Sequence, residues 1–227
     1  MVINLKDCLG VIGGVGPLAS SYLYEMITKN TKATSDQEHL DIILFSHASI
    51  PDRTAYILDN SNKNPYPYLL EDCKKLEKMG ALMISIPCNT SCYFHEKLQE
   101  EIKIPISNII KNTVKFISDK GYKKIAILAT LGTLKSRLYQ EELERYNIEY
   151  SCPYPEKVME VIYNYVKSGK EVPLDLWNEI TLNCNVDAFI LGCTELSILK
   201  KELKLDDRFI DPLEIETKNI LNFFDKN

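Results

Sequence analysis

The stretch that decides the fold is ISIPCNTSC, residues 84–92, and it has a counterpart in FILGCTEL, residues 189–196. Each begins as an apolar run typical of a buried strand, and each run ends at a cysteine, Cys88 or Cys193. Small hydroxyl or amide residues and then a helical pattern follow. Each thiol is therefore predicted between a strand end and a helix N-terminus, where α/β sheets bind ligands and the helix dipole favours a thiolate. The matching contexts suggest two thiols facing one pocket.

Apolar runs alternate with amphipathic runs along the whole chain, which is typical of parallel βαβ units. The predicted strands are 8–13, 41–46, 82–87, 104–107, 124–129, 147–150, 187–192 and 208–211. The predicted helices are 17–30, 65–79, 91–102, 108–120, 134–146, 155–168, 174–185, 196–203 and 212–225. Segment 47–66 is the least regular part, and such a long loop often forms the wall or lid of a site.

An internal repeat is visible, because LGVIGGVGPL at 9–18 aligns with IAILATLGTL at 125–134, and the strand before Cys88 aligns with the strand before Cys193. The repeat predicts an α/β fold of two similar parallel-sheet domains, related by pseudo-two-fold symmetry, with the active site in the cleft between them. The alternative is that any two βαβ units look alike. The predicted domains are 1–107 plus 212–227 for the first and 108–211 for the second.

Composition narrows the class of protein. The 227 residues are 45% hydrophobic and carry a net charge of -5, which is ordinary for a globular protein and offers no basic surface for nucleic acid. No apolar run approaches the roughly 20 residues that span a bilayer, and no signal-peptide pattern is present. We therefore expect a cytoplasmic protein with no nucleic-acid or membrane partner.

The cysteines and histidines argue against a metal site. The chain has seven cysteines and three histidines, and their spacing does not match zinc ligands. An odd number of cysteines also argues against a disulfide framework. Buried packing is the ordinary role for Cys8, Cys73, Cys92, Cys152 and Cys184.

A glycine-rich turn follows the first predicted strand. Residues 14–19, GVGPLA, fit the Gly-x-Gly-x-x-Ala pattern of dinucleotide-binding turns. The second strand, however, ends in Ser46 and His47, where a dinucleotide site would place an acid for the ribose. The turn therefore favours a small anion over a dinucleotide.

Two thiols on opposite sides of a carbon acid can exchange its proton. One thiolate removes a proton from one face, and the opposing thiol delivers a proton to the other face, so the configuration inverts. A free thiol has a pKa of about 8.5, which is close enough to neutrality for either role. The competing interpretation is two buried structural cysteines, and the matched contexts of Cys88 and Cys193 favour function.

These residues carry a family resemblance. Residues 85–91 and 190–196 look like the two signatures of the aspartate/glutamate racemase family, and residues 12–19 and 50–54 resemble its aspartate racemase branch. The resemblance implies a racemase of acidic amino acids that needs no cofactor, acts on a small molecule and often forms a homodimer. It also implies that Cys88 and Cys193 are the acid/base pair.

The same resemblance implies the substrate contacts. They are Arg53, Asn89, Thr90, Thr130, Thr133, Lys167 and Thr194. Arg53 and Lys167 match cations that hold the side-chain carboxylate, and the others match groups around the α-carboxylate and α-amino group. A guanidinium suits a carboxylate because it can bind both oxygens, and Arg53 is the arginine in the irregular segment.

One departure separates the branches of the family. Glutamate racemases typically have histidine after the second Cys-Thr, where this chain has Glu195, a residue that could position Cys193 or Thr194. This favours aspartate as the substrate. A glutamate or broad-specificity racemase, an enzyme like hydantoin racemase or maleate isomerase, and a non-catalytic module that binds an acidic ligand remain alternatives.

Overall fold

The computed structural model describes residues 5–60 and 62–226, whose strands form two parallel sheets. The strands are β1 (Leu9–Gly13), β2 (Ile42–Ser46), β3 (Met83–Ser85), β4 (Lys124–Ala129), β5 (Glu149–Ser151), β6 (Ala188–Gly192) and β7 (Phe209–Ile210). The first sheet has the order β2-β1-β3, and the second has the order β5-β4-β6-β7. In each sheet the strand that leads to a cysteine, β3 or β6, pairs with the first strand of its half, β1 or β4. The predicted fold class is confirmed.

Helices cover the two sheets. They are α1 (Pro17–Asn30), α2 (Arg53–Leu58), α3 (Tyr66–Lys78), α4 (His95–Glu101), α5 (Ile109–Asp119), α6 (Leu131–Lys135), α7 (Leu138–Arg145), α8 (Pro155–Glu160), α9 (Leu174–Thr181), α10 (Glu195–Leu203) and α11 (Pro212–Phe223). Short 3-10 turns cover Asp36–Glu38 and Asn89–Phe94, and a π-helical turn, Val161–Val166, continues α8. Within residues 5–60 and 62–226, no helix has both the length and the apolar character that a bilayer span needs.

One hydrophobic core joins the two sheets. It includes Val11 and Met83 from the first sheet, Ile127 and Ile190 from the second, and Val114 from α5. The four strand residues come from strands buried on both faces, as parallel sheets covered by helices require. The domain limits 1–107 plus 212–227 and 108–211 stay a prediction, and the shared core supports a rigid connection between the halves.

The last helix, α11, contributes a buried carboxylate to each half. Ser85 of β3 donates a hydrogen bond of 2.6 Å to Glu216 Oε1. Ser197 of α10 donates one of 2.6 Å to Oδ1 of Asp211, which also accepts from the Leu213 amide at 2.8 Å and so caps α11. The helix is therefore fixed to the strand that leads to Cys88 and to the helix that follows Cys193.

Three predicted elements are corrected. Residues 104–107 do not form a strand, since only Ile106 makes a bridge, to Ile84 of β3. The predicted helix 134–146 is broken at Arg137, whose φ of 58° is left-handed and cannot continue a helix. The predicted loop 47–66 contains α2, whose N-terminus is capped by the Asp52 carboxylate accepting from the Ala55 amide at 2.7 Å.

Candidate active site

A single cavity lies at the carboxyl ends of the strands, between the two sheets. Side chains from both halves of the chain line it. Both candidate thiols, Cys88 and Cys193, line it, and each residue is less than a tenth exposed. The other predicted site residues that line it are Arg53, Asn89, Thr90, Thr130, Lys167 and Thr194. The residues expected to act together are therefore brought together across the halves.

Cys88 follows β3 but does not start an α-helix. The next residues form the 3-10 turn Asn89–Phe94, and α4 begins only at His95. The predicted helix 91–102 therefore starts later than expected, and Cys88 precedes a 3-10 turn instead of an α-helix. The Thr194 hydroxyl donates a hydrogen bond of 3.0 Å to the Pro87 carbonyl, which connects the two cysteine-bearing loops.

Cys193 follows β6 and lies directly before α10. Its thiol donates a hydrogen bond of 2.9 Å from Sγ to Oε2 of Glu195, the first residue of that helix. Burial and the Glu195 carboxylate raise the pKa of Cys193 well above its usual range, and Lys167 opposes this effect. These effects favour the protonated thiol at Cys193.

Arg53 lies in the first turn of α2, and its guanidinium is buried beside Cys88. Its Nη1 donates to the Pro51 carbonyl at 3.1 Å and to the Ile50 carbonyl at 3.4 Å. Burial alone lowers the pKa of Arg53, but neighbouring Cys88 and Asp52 raise it above its usual value, so the cation is maintained. Arg53 Nε is buried without a hydrogen-bond partner in residues 5–60 and 62–226.

Lys167 reaches the cavity from the second half. The π-helical turn closes with a bond of 2.9 Å from the Lys167 amide to the Ile162 carbonyl, and such turns often mark functional sites. Lys167 Nζ lies 4.1 Å from the centre of the Tyr163 ring and 3.8 Å from Glu195 Oε1. Burial alone lowers the pKa of Lys167, but the nearby Glu195 carboxylate raises it above its usual value, so the side chain remains charged.

Four threonine hydroxyls form a connected cluster beside the cavity. Thr90 Oγ1 lies 3.1 Å from Thr130 Oγ1 and 2.8 Å from Thr133 Oγ1. Thr54 donates to Thr130 Oγ1 at 3.3 Å. Thr133 is fully buried and does not line the cavity, so it contacts the site only through Thr90 and Thr130. The cluster joins α2, the Cys88 turn and α6.

The Asn89 side chain is fixed by a hydrogen bond from Tyr139. The Tyr139 hydroxyl donates a hydrogen bond of 2.6 Å to Asn89 Oδ1, which leaves the amide Nδ2 toward the site. That Nδ2 is buried and has no protein partner within the described part of the chain, like Arg53 Nε. A buried donor without an acceptor is costly, so both atoms suit a bound anion.

Known proteins resemble this chain in both sequence and structure. The family model Asp/Glu/Hydantoin racemase matches residues 12–219, nearly the whole chain. This chain belongs to the Asp/Glu/hydantoin racemase family. The structure of the Picrophilus torridus aspartate racemase is 28% identical, with a TM-score of 0.86 over 98% of this chain and 96% of that one. The predicted family and enzyme class, an isomerase, are thereby confirmed.

Two curated relatives point to different substrates within the family. A broad specificity amino-acid racemase of Bacillus subtilis is 24% identical over 89% of this chain and 92% of that protein. The glutamate racemase of Aquifex pyrophilus is 31% identical, and the match spans 69% of this chain and 64% of that enzyme. The similarity establishes a racemase of this family, and its individual substrate must be inferred from the site.

The glycine turn of this racemase makes room for protein atoms. Gly14 and Gly16 have positive φ values of 81° and 128°. A Cβ on Gly14 would lie 2.4 Å from the His47 backbone, and one on Gly16 would lie 2.9 Å from Glu195 Oε1. The Glu195 side chain therefore packs against this turn, and the expected binding of a small anion there stays a prediction. Among the described residues, no group of three or more His, Cys, Asp or Glu side chains is placed to hold a metal ion.

Sequence reasoning missed several cavity residues of this racemase. Val15, Asp52, Thr54 and Tyr163 line the cavity in addition to the predicted set. Asp52 and Thr54 flank Arg53 in one helical turn, and Tyr163 precedes Lys167 by one π-helical turn. Their proximity to predicted residues in the sequence was the available signal. That signal identifies them only when the local helix geometry is known.

Proposed function

We propose that this protein interconverts L- and D-aspartate without a cofactor, with Cys88 and Cys193 as the acid/base pair. The observation that carries the proposal is that the two thiols, one from each half, line one cavity together with two cations, the buried Arg53 and the partly exposed Lys167. Thiols are suited to the reaction because they can hold or release a proton near neutral pH.

The proposed reaction removes a proton from one face of Cα and adds a proton to the opposite face. The thiolate of one cysteine forms a bond to the Cα hydrogen, and the electron pair of that C–H bond remains on the substrate. The thiol of the other cysteine then gives its proton to the opposite face of Cα. The first cysteine ends as a thiol and the second as a thiolate, so the reverse reaction starts from the product state.

The cationic and polar groups support a dicarboxylate as the substrate. Arg53 and Lys167 come from different halves and can bind the side-chain carboxylate. The unpaired donors, Asn89 Nδ2 and Arg53 Nε, are suited to carboxylate oxygens. The resemblance of residues 12–19 and 50–54 to the aspartate racemase branch supports aspartate rather than glutamate as the substrate.

The test is incubation with single enantiomers in deuterated water. L-aspartate should give D-aspartate carrying deuterium at Cα, detected by chiral chromatography and mass spectrometry, in the presence of a chelator and without added pyridoxal phosphate. A panel with glutamate and neutral amino acids distinguishes an aspartate enzyme from a broad-specificity one. Tight binding of aspartate without exchange or racemisation would show a binding module and contradict the proposal.

We also infer a homodimer, as the family resemblance predicts. The edge strand β2 supports it, because Leu44 is 39% and Phe45 38% exposed, and β2 itself carries no charged residue to protect its edge. Light scattering should give twice the monomer mass, and a monomer at micromolar concentration would contradict the inference. A cytoplasmic location stays a prediction from the sequence.

A further inference from the structure

A tyrosine of the second half contacts the turn that follows Cys88 in the first half. Tyr139 lies in the first turn of α7 and belongs to the core that joins the two sheets. It is fully buried and does not line the cavity. Its hydroxyl nevertheless reaches Asn89, a residue that does line the cavity.

A glycine makes room for the Tyr139 ring. Gly192 is the last residue of β6 and directly precedes Cys193. A Cβ on Gly192 would lie 3.3 Å from Tyr139 Cε2 and 2.9 Å from the Ala129 Cβ. The ring therefore packs beside the strand end that leads to one thiol, while its hydroxyl contacts the residue that follows the other thiol.

A short hydrogen bond joins Tyr139 to the Asn89 amide. The hydroxyl donates to Oδ1 at 2.6 Å. Burial raises the pKa of Tyr139 well above its usual range, so the hydroxyl keeps its proton and remains a donor. The other end of the amide, Nδ2, is buried and has no partner among residues 5–60 and 62–226. Because the two ends of an amide have opposite hydrogen-bonding character, this contact presents N–H groups to the cavity.

We propose that Tyr139 is a positioning residue that orients the Asn89 amide, so that the cavity offers N–H donors to a carboxylate of the substrate. The inference deepens the proposed racemase function and rests on it. A reversed amide would present Oδ1 at the same place, and an oxygen there would repel a carboxylate. Since Tyr139 does not line the cavity, it acts on the ligand through Asn89.

The first test is aspartate binding by Tyr139→Phe, which keeps the ring and removes the hydroxyl. Isothermal titration with racemic aspartate is suitable, because racemisation does not change the composition of this ligand. Without the hydroxyl the amide can adopt either orientation, and the dissociation constant should rise about 10-fold. Tyr150→Phe is the control, since it removes a hydroxyl that donates to Glu144 of α7 and not to a cavity residue, and its constant should equal that of the wild type.

A double-mutant cycle tests whether Tyr139 acts through Asn89. Asn89→Ala removes the amide and should weaken binding, and addition of Tyr139→Phe should weaken it no further. A second loss as large as that in Tyr139→Phe alone would overturn the proposal. Asn89→Asp keeps an oxygen for Tyr139 but presents its second oxygen to the cavity, so it should bind aspartate about 100-fold more weakly. Binding by Asn89→Asp at the wild-type constant would also overturn it.

A measurement without ligand separates this inference from the proposed function. In the NMR spectrum, the Nδ2 protons of Asn89 are the side-chain amide pair that Asn89→Asp removes. In Tyr139→Phe this pair should shift and broaden, because the amide loses its fixed orientation, and in Tyr150→Phe it should keep its position. An unchanged pair in Tyr139→Phe overturns the inference, whether or not the wild type racemises aspartate.

Discussion

The two cysteine-bearing strand ends occupy equivalent places in their sheets but have different electrostatic surroundings. β3 pairs with β1, and β6 pairs with β4, in the same parallel arrangement. Cys88 is followed by a 3-10 turn and faces the guanidinium of Arg53, whereas Cys193 precedes an α-helix and donates to the carboxylate of Glu195. The repeated backbone thus places two identical side chains, and the neighbours make them chemically different.

This difference is useful for a two-thiol reaction. A racemase of this kind needs one sulfur that holds a proton and one that lacks it. Two thiols in identical surroundings would have the same pKa. Burial and the neighbouring Glu195 carboxylate raise the pKa of Cys193 and favour its neutral thiol. We therefore expect the resting site to begin with its proton on Cys193.

The largest effect should follow removal of either sulfur. Cys88→Ala and Cys193→Ala should each reduce racemisation by about 10³-fold or more, because an acid or a base is missing from one face of Cα. Each variant should retain Cα deuterium exchange for one enantiomer only, and opposite enantiomers for the two variants. The measurement is exchange and racemisation of each enantiomer by mass spectrometry and chiral chromatography.

Cys92→Ala is the matched control for these variants, because Cys92 is one turn from Cys88 but does not line the cavity. Its racemisation rate should stay near that of the wild type. Racemisation at the wild-type rate by either Cys88→Ala or Cys193→Ala would contradict the two-thiol mechanism.

The next effect concerns the cation beside Cys88. Arg53→Ala should lower kcat/KM for aspartate by about 10²-fold, because hydrogen bonds to a charged group contribute about 1.5–3 kcal/mol. Arg53→Lys should be intermediate, since an ammonium keeps the charge but not the planar fork. Arg145→Ala removes an exposed arginine of the second half and serves as the control. Equal kcat/KM for Arg53→Ala and the wild type would contradict the assigned role.

A smaller effect should follow a change in how α2 docks on the second half. Gly132→Ala would place a Cβ 2.7 Å from the Thr54 Cα, so α2 and Arg53 must shift. We expect a stability cost of about 1–3 kcal/mol and about a 10-fold loss of kcat/KM. Urea unfolding and steady-state kinetics measure the two effects.

Gly80→Ala is the control for Gly132→Ala. Its Cβ meets open space, but its φ of 95° is strained for alanine, so stability should fall by about 1–2 kcal/mol without loss of activity. If the two variants lose activity equally, the loss follows from general destabilisation and the docking of α2 is not responsible.

The smallest predicted effect on activity concerns the buried carboxylates behind the two cysteines, which act on stability. Burial raises the pKa of Asp211 from 3.8 to about 6. Its protonation therefore stabilises the fold below pH 4, and this contribution, up to about 3 kcal/mol, is lost as pH rises through 6. Asp211→Asn keeps an oxygen that can accept the hydrogen bonds from Ser197 and Leu213. Its side chain does not ionise, so the variant does not lose this stability as pH rises.

The free energy of unfolding of Asp211→Asn, measured in urea, should thus improve relative to the wild type between pH 4 and pH 7. The exposed Asp206→Asn is the control and should show little change in this difference. A constant difference between Asp211→Asn and the wild type across this range would show that Asp211 is ionised throughout.

Much of the site followed from local sequence patterns. The carboxyl ends of parallel strands meet at one edge of a sheet, so two cysteines at strand ends predicted a common cavity. Arg53 and Lys167 came from the family resemblance and line that cavity. Thr54 was missed because α2 was not predicted within the irregular segment. Tyr163 was missed because no sequence periodicity predicts a π-helical turn.

The sequence by itself determined the alternation of strands and helices and the placement of Cys88 and Cys193 at strand ends, because hydrophobic periodicity and turn residues act over short distances along the chain. Only the tertiary structure decided which charge faces which sulfur. Arg53 and Gly16 reach the site from remote segments, and the side-chain direction of Glu195 depends on both halves. Burial and charge act through space, so the chemical difference between the two thiols arises only when the chain is folded.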